Sequence, residues 1–215
     1  MGTAETQQAA ATHAGPPGVI LAFVPWIVFW ALVGNVDFGL ACVIALAIVG
    51  VQVLKTLQAG EVPKVLELGT LIAFAVLTIV AYTGDEQFLE RWFQPLSNAA
   101  LFLIALVSVL IGTPFALQYA REQAPPEVQE TPLFHRTTLV ITWVWIAAFG
   151  VMTVSSLIPP IVDGDATILD QDDTLGVVFY WVIPFVALAA AFLFTKWYPD
   201  QVRRRARGEA RGAAA

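Results

Sequence analysis

Cysteine and histidine are nearly missing from this chain. Cys42 is the only cysteine, and His13 and His135 are the only histidines. One cysteine excludes an internal disulfide, a CxxC pair and a thiolate metal cluster. The two histidines lie before the first apolar run and at the edge of a later one. They cannot form a bis-histidine haem site within a bundle, and a zinc site would lack its usual Cys/His set. A phosphate loop, a dinucleotide fingerprint and a nucleophile elbow are also missing. We therefore expect no cofactor, no metal and no enzyme. Charge is scarce as well: 13% of the 215 residues are charged and 58% are hydrophobic. A soluble domain carries roughly 25% charged residues.

What is present is long apolar runs. Six stretches, 18–34, 38–57, 65–83, 96–119, 137–158 and 174–195, are bounded by breakers or charges such as Gly34-Asn35, Gly60-Glu61-Val62-Pro63 and Pro159-Pro160. A transmembrane helix needs roughly 17–25 apolar residues, and a barrel strand only about 10 with alternating polarity. The runs match the helix. The predicted fold is an all-α polytopic membrane bundle of six transmembrane helices over residues 18–198. A disordered tail (1–17) precedes it and a basic disordered tail (199–215) follows it.

The bases sort to one side of this layout. Lys55, Lys64, Arg121, Arg136, Lys196, Arg203, Arg204, Arg205, Arg207 and Arg211 share one side, and Arg91 alone sits on the other. Positive residues are retained in the cytoplasm during insertion. Both termini are therefore predicted to be cytoplasmic. The tail before Gly18 lacks a basic n-region, so no signal peptide is expected. Asp37, Asp85, Glu86, Glu90, Asp163, Asp165, Asp170, Asp172 and Asp173 fall on the opposite side.

Polar residues within the runs crowd the two ends. Gln52, Glu67, Thr70, Thr113, Gln118 and Thr142 fall near the basic side, and Asn98, Thr153, Ser155 and Ser156 near the other. Ser108 is the clearest polar residue in mid-span. No ionisable residue reaches a midplane, which argues against a proton relay or a charged-substrate transporter. Glu67 reads either as a carboxylate complementing a helix N-terminus, within reach of Lys64 and Lys55, or as a functional buried acid. Gln52 and Asn98 read as interhelical hydrogen-bonding groups. Pro25, Pro114 and Pro184 are expected to kink their helices.

The loops add three expectations. Phe88, Leu89, Trp92 and Phe93 share one face of a short helix, which reads as an interfacial helix or a cap over the bundle. The acidic loop 163–173 starts Asp-Gly-Asp but lacks the calcium-loop ligand order. Arg203, Arg204 and Arg205 follow Trp197-Tyr198-Pro199 as an anchor for anionic lipids. A nucleic-acid partner is not expected from one short basic run in a chain of net charge −6.

With these features in place, the chain resembles the intracellular septation protein A family of small multi-pass membrane proteins. The similar parts run from Phe23 to about Ser156. They are Phe23-Val24-Pro25-Trp26-Ile27-Val28-Phe29, the acidic turn at Asp37, Gln52, and Gly84-Asp85-Glu86-Gln87-Phe88 leading to Trp92. Thr113-Pro114-Phe115 and Thr142-Trp143-Val144-Trp145 complete them. The resemblance implies a multi-pass protein of the bacterial inner membrane that supports cell-envelope integrity and division through contacts with other envelope membrane proteins. It brings no catalytic residues. The competing expectation is a small transporter or permeation path for an uncharged or amphipathic substrate, with a wet vestibule reaching Gln52, Glu67 and Gln118.

Overall fold

The computed structural model describes residues 18–162 and 174–212, without the side chains of residues 86 and 207–212. The N-terminal tail and the acidic loop with its aspartates lie outside the described residues. The elements are α1 (Gly18–Leu32), α2 (Phe38–Gln58), α3 (Val65–Thr83), α4 (Glu86–Leu110), α5 (Phe115–Gln123), α6 (Pro126–Gln129) and α7 (Pro132–Val162). A last rod comprises α8 (Thr174–Val177), a π-helical turn (Val178–Val182) and α9 (Ile183–Gly212). No strand occurs among the described residues. The chain is an all-α membrane bundle, with five helices long and apolar enough to cross a bilayer.

The sixth apolar helix, α1, has 15 residues. At 1.5 Å per residue it is about 22 Å long, short of a hydrocarbon core of about 30 Å. It is nevertheless central to the packing. Trp26 and Phe29 are fully buried, and the Trp26 ring lies 4.6 Å from that of Phe74 on α3. Phe29 continues the row to Phe74 at 5.4 Å and to Phe93 on α4 at 5.6 Å, and Phe93 meets Phe38 of α2 at 5.2 Å. Aromatic pairs at 4.5–7 Å stabilise by about 0.5–1.5 kcal/mol beyond burial.

The fourth span is shifted from its expected place at 96–119. Its membrane-spanning part is Gln87–Leu110, and α4 runs through Pro95 without a break. The anticipated interfacial helix is thus the first turns of α4. Leu89 and Phe93 point into the core, at 7% and 1% exposure, instead of lying on a lipid surface. Membrane helices tolerate an internal proline when neighbours satisfy the freed backbone. Burying Leu89 and Phe93 favours carrying the helix back to Glu86.

Pro114 ends the span where a kink was expected. Gly112 takes φ +76°, a conformation costly for any residue with a Cβ. The chain then turns into α5, whose Phe115, Leu117 and Tyr119 are buried. Ser108 stitches this corner: its Oγ donates to the Ala105 carbonyl at 2.6 Å and accepts from the Phe115 N–H at 3.2 Å. Ser108 therefore sits near the end of a span, not at mid-span. The last helix also differs from expectation. It continues through residue 199 to Gly212, so the basic tail is helical where described.

Packing is tightest where α3 crosses α4. A Cβ on Gly69 would lie 2.6 Å from Ile104 Cγ2. A Cβ on Gly50 would meet nothing within 4 Å. Gly69→Ala should destabilise the bundle by about 1–3 kcal/mol through overpacking. Gly50→Ala should be neutral or stabilising. Thermal unfolding of both variants in detergent micelles checks this; equal melting temperatures would refute the close crossing.

Candidate functional site

Three of the residues singled out by sequence, Gln52, Glu67 and Gln118, come together at the basic end of the bundle. The α2–α3 connection and the short helix α5 bring them there. Glu67, in the first turn of α3, accepts from the Lys64 N–H at 3.3 Å and from Thr56 Oγ1 at 3.4 Å. Its other oxygen lies 3.6 Å from Lys64 Nζ. Gln118 caps the same turn: its Oε1 accepts from the Val65 N–H at 3.0 Å, and its Nε2 donates to the Thr113 carbonyl at 2.9 Å. The first turn of a helix has N–H groups with no helical partner. Glu67 and Gln118 each bind backbone N–H groups at this turn. Lys55, also expected near Glu67, makes no ion pair among the described residues.

Lys64 is the hub of this cluster. Its Nζ lies 2.6 Å from Glu122 on α5 and 5.2 Å from the centre of the Tyr119 ring. Burial pulls the Lys64 ammonium pKa down. The hydrogen bond to Glu122 and the charges of Glu67, Glu122 and Glu61 outweigh this and hold it above the ordinary lysine value. Tyr119 is pushed up by burial, and the negative charges of Glu67 and Glu122 add to the shift. Glu122 also packs against the start of α1, since a Cβ on Gly18 would meet its Oε2 at 2.7 Å. Glu122 was not singled out by sequence. It lies one turn beyond Gln118, and that spacing was the available signal.

Gln52 serves a different need. Its Nε2 donates to the Leu21 carbonyl at 2.8 Å. Leu21 lies four residues before Pro25, which has no N–H to give back. Gln52 supplies the missing donor from the neighbouring helix. Ser155 does the same for the last rod. Its Oγ donates at 2.6 Å to the carbonyl of Phe179. Phe179 lies five residues before Pro184, the π-helical spacing in this turn. Pro184 therefore sits next to a π turn.

Asn98 lies apart from the basic-end cluster. It is fully buried and donates to the Met152 carbonyl at 3.3 Å and to Ser156 Oγ at 3.2 Å, linking α4 to α7. Trp92 is half-buried on α4. Arg203, Arg204 and Arg205 are exposed on the final helix, with Arg203 3.8 Å from Asp200. These residues do not converge with the basic-end cluster. No group of three or more His, Cys, Asp or Glu placed to hold a metal occurs among the described residues.

Lys64 has a raised pKa, so its contribution to stability is fully present below the unfolded lysine value of about 10.4 and lost as pH climbs through the higher folded value. Glu122 is 41% exposed and screened, so Lys64→Met should cost only about 1–2 kcal/mol at pH 7. The gap between variant and wild type should begin to narrow above about pH 10.4 and close as pH passes the higher folded value. Chemical denaturation at pH 7 and pH 11 measures both; a gap independent of pH would refute the ion-pair role.

Comparison with family models, curated proteins and solved structures returned no match.

Proposed function

We propose that this membrane protein is a non-enzymatic scaffold of the bacterial inner membrane, with α1 crossing a locally thinned bilayer as a sixth, short span and both termini cytoplasmic. In this reading it supports envelope integrity or division through contacts with other envelope membrane proteins. One observation carries the proposal. Gln52, Glu67 and Gln118, which would line the vestibule of a path, are spent on backbone groups and on one ion-pair cluster. The interior between the helices is filled by aromatic rings, with Trp26, Phe29, Phe74 and Phe149 all fully buried. Trp26 Nε1 donates to Thr70 Oγ1 at 3.0 Å, so this indole too is paired inside the bundle.

The resemblance to the intracellular septation protein A family supports the same reading. The exposed Arg203, Arg204 and Arg205 suit the anionic lipids of a cytoplasmic leaflet, at about 1 kcal/mol for each base near the surface. Trp92 and the start of α4 suit contacts at the opposite face.

A second reading, a permeation path for an uncharged or amphipathic substrate, draws on one feature. The Gln52 Oε1 is buried without a hydrogen-bond partner. A polar substrate group could supply that partner.

Complementation with Glu67→Gln separates the two. The scaffold reading expects envelope integrity within about twofold of wild type, since an amide oxygen can still accept from the Lys64 N–H and Thr56 Oγ1 and Lys64 keeps its contact with Glu122. It also expects envelope or division membrane proteins to co-purify with the tagged chain from native membranes. Lost activity at normal membrane abundance would favour the path.

A further inference from the structure

At the end of the bundle opposite the basic cluster, a small cleft lies between α1, α4, α7 and the π-turned rod. Trp30 of α1, Gln94 of α4, Met152 of α7 and Tyr180, Trp181 and Leu188 of the rod are among the residues that line it. Its cavity volume is about 20 Å³. One water needs about 10–15 Å³ by the same measure. The space takes one water and nothing larger.

The chemistry of the lining points to the same occupant. Trp30 Nε1 is buried and has no hydrogen-bond partner among the described residues. Two other indoles are paired inside the bundle, Trp26 with Thr70 and Trp145 with Thr195. Buried polar atoms without partners are rare, and each one calls for an explanation. An indole N–H only donates, so its partner must be an acceptor. Gln94 and Tyr180, both buried, line the same cleft. Their amide and phenol oxygens can accept. None of the described lining residues is Asp, Glu, Lys, Arg or His, so an ion would lie there without a counter-charge. A group that accepts one hydrogen bond, has two to give and fits this volume is water. Buried waters typically make about three such bonds.

We propose that this cleft binds one structural water that ties the last rod to the bundle. The water oxygen accepts from Trp30 Nε1, and its two protons go to the Gln94 amide oxygen and the Tyr180 phenol oxygen. The consequence is mechanical. The rod packs mainly along α7, and the water joins its π turn to α1 and α4 as well. π turns occur often at functional sites; this one carries Tyr180, the rod's share of the bridge. The site is independent of the scaffold reading, because it serves the packing of the rod whatever the bundle does.

The test uses the full chain in phosphatidylcholine nanodiscs, isotope-labelled at the indole nitrogens of its seven tryptophans. The Trp30 signal in the NMR spectrum is the one that Trp30→Phe removes. Its N–H proton should receive magnetisation from water. Leu188→Phe fills the cleft and should abolish that transfer, while the Trp26 indole signal keeps its position and reports an intact bundle. Trp30→Phe keeps an aromatic ring and removes the donor. Amide hydrogen exchange over residues 178–182 should quicken in it by about 3- to 10-fold, the worth of one hydrogen bond. Exchange across Val65–Thr83 should stay unchanged. Transfer to the Trp30 N–H from lipid protons instead of water would overturn the proposal and assign this donor to a lipid carbonyl. Transfer from water that persists in Leu188→Phe would place the water outside the cleft and overturn it too. Unchanged exchange over residues 178–182 in Trp30→Phe would overturn the bridge to the rod.

Discussion

A proline inside a membrane helix leaves a carbonyl with no partner, and hydrocarbon supplies no water to replace it. Much of this bundle's polar chemistry answers that constraint. Pro25 strips the Leu21 carbonyl, and Gln52 reaches across from α2 to fill it. Pro184 strips the Phe179 carbonyl in π register, and Ser155 fills it from α7. At the corner before Pro114 the need is the opposite one, and Ser108 Oγ accepts from the Phe115 N–H at the start of α5. Each repair joins two segments, so satisfying the backbone also fixes which elements pack together.

The remaining polar side chains follow the same economy. Thr78, Thr142, Thr153 and Thr195 turn their hydroxyls back onto carbonyls of their own helices. Trp145 then donates to Thr195 at 2.9 Å and ties α7 to α9. Trp26 does likewise with Thr70, tying α1 to α3. With these groups paired, aromatic side chains fill the centre. The central helix is α4, half buried over its apolar window, whereas the last rod is only 17% buried and lies at the edge. That peripheral rod forms the outer wall of the cleft beside Trp30 and Gln94.

Spans bounded by unambiguous breakers were legible from sequence. Val65–Thr83 matches its expected limits, and α2 differs by one residue, ending at Gln58. The fourth span was not legible. Glu90, Arg91 and Pro95 read as a loop, but burial of Leu89 and Phe93 carries the helix through them. Thr113-Pro114 read as a kink, but Gly112 with positive φ makes it a corner. Glu67 and Gln118 were visible as polar residues at span ends. The Lys64–Glu122 contact joins residues far apart in sequence and required the three-dimensional course of α5. Gln52 was visible as an interhelical hydrogen-bonding group, but not its purpose. No spacing rule links a glutamine in one helix to a proline in another.

The central claim is that Gln52 stands in for the N–H that Pro25 lacks. A double-mutant cycle on stability in bilayers or micelles tests it directly, using Gln52→Leu, Pro25→Ala and the pair. Gln52→Leu alone should cost about 0.6–1.7 kcal/mol, the range of interhelical hydrogen bonds in membranes. In the Pro25→Ala background residue 25 regains an N–H for the Leu21 carbonyl, and the same substitution should cost almost nothing. Equal costs in the two backgrounds would contradict the account.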